Sequence, residues 1–340
     1  MKKNKRKTVS LIVLNYNGKQ HLGEYFESVY RQTLIPDEVI MMDNLSTDGS
    51  REFVKTNFPQ VKIVADDSRN LGTATASNVG FAHTKGNYVI FQSNDMRLDK
   101  KCIEELVNTM EKDKAIGICT SVLVNYYKDE KSGKHLIDNA GGIADIYGFG
   151  MQKYPQKRIE DIPNQEEVFF SYGGSFIIKR TLYKKISGFD DRYFNLNEDF
   201  DLSWRVRLLG CKIVYNKKSI IYHKVSATLG PLYKRSLKRY WSEKNILRSL
   251  LKNCQPNRLL TSLSGYFFLL GGEMMYFLFR GRIGFFLADF KALLWNLYQL
   301  PNTLSERRKI QSLRQKNNID DLLIKYSLKL KLFESFKKLI

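Results

Sequence analysis

"TVSLIVLNYNG", residues 8–18, is a short β-rich run that stops abruptly at Asn15-Tyr16-Asn17 and Gly18. Basic residues precede it. A secretory signal needs a longer apolar core than Val9 to Leu14 and a small-residue cleavage site, so the run reads as a buried first strand. The same scheme returns along residues 1–100. "HLGEYFESVYRQT" has helical spacing, with Leu22, Phe26, Val29 and Tyr30 on one face. "DEVIMMDNLSTDGS" is a strand ending in a polar, Gly-containing loop, and "VKIVADD" and "NYVIFQSND" are further strands with a helical stretch between them. Apolar runs alternating with helices predict an α/β fold built on a largely parallel sheet of βαβ units.

Three of these strands run directly into small polar or acidic residues: Asn15-Tyr16-Asn17, Asp43-Asn44 and Ser93-Asn94-Asp95. Any one such end fits an ordinary turn, since Asn, Asp and Ser bond their own backbone well. Three on one edge of an open α/β sheet favour a ligand crevice outside the strand ends. Further on, "AIGICTSVLV" and "VFFSYGGSFIIKR" read as strands, and "KVSATLG" with Pro231 marks a boundary.

The chain has 340 residues, 43% of them hydrophobic, enough for a substantial core, and a formal net charge of +20. Its four cysteines form no CxxC pair, which fits a reducing compartment and gives no support to a zinc site or disulfide framework. From Pro231 to Ile340, 21 Lys and Arg face 7 Asp and Glu, so most of the basic excess lies in the last third. Nucleic acid and an anionic membrane surface are the candidate partners. A nucleic-acid-binding protein leaves the acidic strand ends unexplained, and the long apolar runs of the same region favour the membrane.

Those runs, 259–279 and 283–300, contain Glu273, Asp289 and Lys291. Charges inside a membrane span are costly, so amphipathic helices lying in the interface fit better than a pair of spanning helices. The competing reading is a helical subdomain packed on the rest of the chain or on another subunit, which makes a homo-oligomer a further expected partner.

"NEDFDLSWR", residues 197–205, sets Glu198, Asp199 and Asp201 close together. On a helix Asp201 and Arg205 form an ordinary i,i+4 pair, Leu202, Val206 and Leu209 make a buried stripe, and the acids sit on the first turn where the helix dipole favours them. Capping accounts for Asp201. It does not account for Glu198 and Asp199, which follow the loop "GFDDRYFNLN".

In order and spacing, "VSLIVLNYNG", "DNLSTDGS", "NLGTATASNVG", "FQSND", "YGGSFIIKR…ISGFDDRYF" and "NEDFDLSWR" resemble the family 2 glycosyltransferases with a GT-A fold, closest to the rhamnosyltransferase-like bacterial enzymes that build surface polysaccharides. The resemblance covers roughly residues 8–230. It implies a GT-A catalytic domain over 1–230, with a nucleotide-binding half at about 8–100 and an acceptor half at about 101–230, followed by a basic, apolar helical region over 231–340. The activity it implies is inverting transfer of one sugar from a nucleotide-diphosphate sugar, UDP- or dTDP-linked, to a hydroxyl of a glycan or polyprenyl-diphosphate-linked glycan. Nucleotidyl transfer is the alternative chemistry; it needs a phosphate-binding loop after the first strand, and "NYNGKQ" is a poor one.

Carried over position by position, the resemblance makes Asp199 the general base. Asn15, Asn17, Asp43, Asn44, Asn70, Gly72, Asn78, Ser93, Asn94 and Asp95 contact the donor, with Gly72 allowing close approach of a ligand to the backbone. Gly173, Gly174, Ser175, Glu198 and Trp204 line the acceptor side. A divalent cation, Mg²⁺ or Mn²⁺, steadies the leaving diphosphate. The family's DXD-type motif corresponds here to Ser93-Asn94-Asp95, so Asp95 is its one carboxylate, and His223, 24 residues after Asp199, is the second expected ligand. A lone His at the end of an apolar strand otherwise reads as structural. The QxxRW-type motif of processive members has no full counterpart, since Ser236–Tyr240 lacks the Gln. The expected location is the cytoplasm, peripheral or monotopic on the inner face of the plasma membrane.

Overall fold

The apolar runs form the expected alternation. The computed structural model describes residues 7–171, 174–224 and 232–315. The chain begins β1 (Val9–Asn15), α1 (Lys19–Tyr30), β2 (Glu38–Asp43), α2 (Ser50–Asn57), β3 (Lys62–Ala65), α3 (Gly72–Ala82), β4 (Tyr88–Ser93). Strands β3-β2-β1-β4 lie side by side and all pair parallel. β1 is central, so Val9, Leu11, Ile12 and Val13 are fully buried on both faces, as the near-continuous apolar run requires. α1 covers one face with Leu22, Tyr25, Phe26 and Val29.

β1 has β2 on one side and β4 on the other, which is where strand order reverses and a crevice opens at the C-terminal ends. Register places Leu14 opposite Ser93 and Asn15 opposite Asp43. The three polar strand ends are therefore neighbours in space.

The chain continues with β5 (Met96–Leu98), α4 (Cys102–Lys112), β6 (Ile116–Asn125), β7 (Ile137–Asn139), β8 (Gly142–Ala144), β9 (Gly150–Gln152), β10 (Gln165–Glu167), β11 (Ser175–Lys179), α5 (Arg180–Lys185), α6 (Glu198–Leu208) and β12 (Lys212–His223). β11 inserts antiparallel between β4 and β6, and β12 pairs parallel with β6, so the sheet is mixed beyond β4. The strand expected across 168–180 is shorter: only Ser175–Lys179 pairs along its length, Phe170 makes an isolated bridge to Gly142, and Gly174 is left-handed at φ +68. Residues 172 and 173 lie outside the described residues, and with them the expected role of Gly173.

β12 is irregular between Asn216 and Ile220, and its far end pairs antiparallel with β5, setting His223 opposite Met96. The turn that leaves β4 through Ser93-Asn94-Asp95 is thereby tied to the end of β12.

Clustering of contacts divides the chain into two compact units, one made of 1–142, 152–207 and 211–227, the other of 143–151, 208–210 and the chain from 228 onward. The second contains α7 (Leu232–Asn253), α8 (Pro256–Phe279), α9 (Ile283–Tyr298) and α10 (Leu300–Ser312). Among the described residues no helix is long and apolar enough to cross a membrane.

Candidate active site

Asp95 and His223 meet at the junction of β5 and β12: His223 Nε2 lies 3.4 Å from Asp95 Oδ2, and Nδ1 lies 3.0 Å from Asp138 Oδ2. Burial alone would depress the imidazole, yet the carboxylates of Asp138 and Asp95 outweigh it and hold the ring up to about 9. Asp95 Oδ1 is buried and has no hydrogen-bond partner among the described residues. An orphaned carboxylate oxygen beside an imidazole fixed by Asp138 could hold a divalent cation once the ring gives up the proton on Nε2. Among the described residues no three His, Cys, Asp or Glu side chains converge on one point, so diphosphate oxygens and water would have to complete the coordination.

Around this pair, Glu24 accepts from Tyr126 at 2.7 Å and pairs with Lys224 at 2.5 Å and Arg97 at 3.4 Å. The Arg97 guanidinium stacks 3.9 Å from the centroid of the Tyr222 ring. Basic groups are thus held close to the Asp95 corner by a network centred on one glutamate.

The nucleoside side is more internally bonded than expected. Asn15 Nδ2 donates to Asp43 Oδ1 at 2.9 Å and Ser46 Oγ at 3.0 Å, while Asn94 Nδ2 donates to Asn15 Oδ1 at 2.5 Å. Asp43 is fully buried. Burial favours its neutral form, but hydrogen bonds from Ser46, Asn15 and Arg51 outweigh that and keep it below the ordinary carboxylate range. Asp43 ties β1 and β2 to Arg51, which also reaches Asp67 at 2.5 Å. Asn44 likewise serves the loop before α3, accepting from Leu71 N at 2.7 Å and donating to Asn70 Oδ1 at 2.9 Å. Asn17 is exposed, left-handed at φ 50, and accepts from Thr47 N at 2.8 Å. Asn70, Ser93, Asn94 and Asp95 are half-exposed along the same edge.

Two residues of "NLGTATASNVG" do something else. A Cβ on Gly72 would stand 2.1 Å from Phe194 O, so the glycine admits the 190–197 loop rather than a ligand. Thr73 N donates to that same carbonyl at 2.7 Å. Asn78 donates to Phe189 O at 2.9 Å and Asp191 Oδ1 at 2.7 Å, and accepts from Tyr183 OH at 2.6 Å. Its amide is spent on the loop, which corrects its expected donor contact. α3 is thus the dock on which the segment leading to α6 rests.

That segment ends with Leu196 and Asn197 both left-handed, at φ 68 and 61, immediately before Glu198 begins α6. A branched residue such as Leu196 in this region is strained backbone of the kind that clusters at functional sites. Asp199 stands in the first turn and accepts from Phe200 N at 2.7 Å. Glu198 Oε2 is shut off from solvent with no hydrogen-bond partner among the described residues, although the residue as a whole is half-exposed. Burial first, and the Asp199 charge second, push its carboxyl up to about 8. Glu198 is therefore biased toward its neutral form.

Asp201 and Arg205 are not an ordinary surface pair. Both are buried, Nε to Oδ2 is 2.9 Å, and Arg205 Nη1 also donates to the carbonyls of Ile186 at 2.6 Å and Gly188 at 2.7 Å. Trp204 is fully buried, edge-on to Phe169 and Phe200 at 5.6 and 5.5 Å, so its expected acceptor contact is corrected to core packing. Ser175 is buried within the sheet, near Gln92 Nε2 at 3.3 Å, and is corrected likewise. Gly174 borders the site: a Cβ there would stand 2.9 Å from Ser93 Oγ.

Sequence reasoning missed Asp138, Arg51 and the Glu24 cluster. Asp138 sits in "HLIDNAGG", which carries no recognisable ligand spacing; only the β6–β7 pairing brings it near His223.

The family model for glycosyl transferase family 2 matches residues 10–187, more than half of the 340-residue chain. The N-acetylglucosaminyl-diphospho-decaprenol L-rhamnosyltransferase of Mycobacterium tuberculosis is 25% identical over 240 residues, covering 64% of this chain and 76% of that protein. The O-antigen chain rhamnosyltransferase WbaN of Salmonella anatum is 24% identical over 219 residues, covering 63% and 65%. Among solved structures, GalNAc-T7 with UDP, GalNAc and Mn²⁺ superposes with a TM-score of 0.60 at 18% identity, over 78% of this chain and 50% of that one.

Proposed function

The chain belongs to glycosyl transferase family 2 and is a glycosyltransferase, and we propose that it moves one sugar, with inversion, from a UDP- or dTDP-linked donor to a hydroxyl of a glycan or polyprenyl-diphosphate-linked glycan. The resemblance to two rhamnosyltransferases, one named for a lipid-linked diphosphate acceptor and one for an O-antigen chain, supports a role in surface-polysaccharide synthesis, and the basic, apolar region 231–340 is the reason to place it at the cytoplasmic face of the plasma membrane.

Asp199 takes the acceptor proton as that oxygen attacks the anomeric carbon, and the bond to the diphosphate breaks on the opposite side. Docking of the 190–197 loop on α3 orients Asp199 by fixing the entry to α6. Glu198, neutral beside it, donates a hydrogen bond to the acceptor without adding a competing negative charge. Asp95 and His223 would hold a divalent cation, Mg²⁺ or Mn²⁺, and that ion would supply charge neutralisation for the leaving phosphates. Asn17, Asn70, Ser93 and Asn94 line the donor edge, and Gly174 borders it on the acceptor side.

The Asp95–His223–Asp138 arrangement at the strand-end crevice carries this reading. The test is a panel of nucleotide-sugars screened for metal-dependent thermal stabilisation and slow hydrolysis. A stabilising donor whose turnover disappears in Asp199→Asn while binding persists supports it. Near-normal turnover in that variant overturns the assignment of the base.

A further inference from the structure

α8 and α9 turn their acids inward. Glu273 and Asp289 are buried, and Arg239 of α7 bonds both, at 2.5 Å to Glu273 Oε2 and 2.6 Å to Asp289 Oδ1. Tyr266 of α8 donates to Glu243 Oε2 at 3.0 Å, and Asn296 of α9 donates to Lys244 O at 3.0 Å. The polar sides of both helices therefore close on α7, and their opposite sides face away from it together.

Those opposite sides are apolar. On α8, Leu260, Phe267, Phe268, Met275, Leu278 and Phe279 recur at helical spacing, with Phe268 75% and Phe279 81% exposed. On α9 the exposed series includes Ile283, Leu287, Phe290, Leu294 and Leu297. Gly271 and Gly272 lie in the α8 face, and a Cβ on either would meet nothing within 4 Å. Scattered exposed apolar residues are ordinary, but two aligned rows of them mark an interaction surface.

Charge identifies the occupant. With Glu273 and Asp289 buried, the charged residues left open to solvent along α8 and α9 are cationic: Lys291 on α9 and Arg280 just past the end of α8 are exposed, and Arg258 in the first turn of α8 is half-exposed. A second copy meeting this face symmetrically would set cation against cation in a chain of net charge +20. An anionic bilayer supplies acyl chains for the apolar rows and phosphates for Arg280 and Lys291. Neither helix is long and apolar enough to cross it.

We propose that the α8–α9 hairpin lies in one leaflet of an anionic lipid bilayer, its apolar rows among the acyl chains and Arg280 and Lys291 at the headgroups. This deepens the membrane-face part of the proposed function and is independent of the transfer chemistry.

The test is flotation of the full-length protein with phosphatidylcholine vesicles, with and without phosphatidylglycerol, at low and high salt. Thermal melting and donor hydrolysis are measured in parallel. Wild type should float with the anionic vesicles and less so in salt. Phe268→Glu with Phe279→Glu should lower partition at least about tenfold at unchanged melting temperature and hydrolysis. Arg280→Glu with Lys291→Glu should remove the preference for phosphatidylglycerol. Failure of wild type to float, or flotation of the phenylalanine variant at the wild-type level, overturns the proposal. So does a solution dimer that the phenylalanine variant splits without any vesicle binding, since a second copy then covers the face. Flotation as expected with no hydrolysis of any donor leaves this inference standing and counts against the transferase chemistry alone.

Discussion

Gly72 and Phe194 meet backbone to backbone: a Cβ on Gly72, which is left-handed at φ +72, would stand 2.1 Å from the Phe194 carbonyl oxygen. The loop that delivers Asp199 thus depends on a missing methyl group on another helix. Gly72→Ala should cost about 2 kcal/mol or more, from strain and displacement together, and should lower transfer more than the stability loss explains at a temperature where the variant is still folded. A variant with wild-type melting and wild-type turnover would show that the loop is positioned elsewhere.

Asp138 bonds His223 Nδ1 at 3.0 Å and so would orient the ring toward the proposed cation. Asp138→Asn keeps the shape but removes the charge that fixes the ring, so half-saturating Mn²⁺, read as thermal stabilisation in the presence of nucleoside diphosphate, should rise about 10–100-fold. An unchanged titration would show that His223 needs no outer partner.

Glu198 gives a pH signature. Its folded carboxyl titrates near 8, against 4.5 for an ordinary Glu, so between those values the folded state binds a proton that the unfolded chain has lost. Stability from this position is therefore greatest below about pH 4.5 and falls as pH rises through about 8. Glu198→Gln cannot ionise. Its melting temperature relative to wild type should climb from pH 5 to about pH 8 and then level off. A difference that stays flat with pH would mean the carboxyl is not buried as neutral acid.

The Asp201–Arg205 pair should behave as a buried clamp. Asp201→Ala leaves the guanidinium enclosed without its carboxylate, and denaturant unfolding should show a loss of about 3–5 kcal/mol. A loss below about 1 kcal/mol, the range of an exposed pair, would contradict the burial.

These cases mark where sequence stops informing. The strand ends at Asn15, Asp43 and Asp95 were legible because a buried parallel strand must be apolar, so polarity at its terminus stands out locally. The 201–205 spacing was legible too, but its burial was not, since that depends on Ile186 and Gly188 offering carbonyls across a different segment. Trp204, Ser175 and Asn78 were misread for the same reason: their side chains are directed by partners such as Phe169, Gln92 and Asp191. Asp138 lies 85 residues from His223 and had no local signal at all.

The pairing of β5 with β12 also makes the two ends of the catalytic unit mutually dependent. Asp95 is available once the first parallel strands are in place, whereas His223 is the last residue of β12. During synthesis strands β1 to β4 are all made long before His223 can join Asp95. A nascent chain that has not released β12 from the ribosome therefore lacks the Asp95–His223 pair altogether.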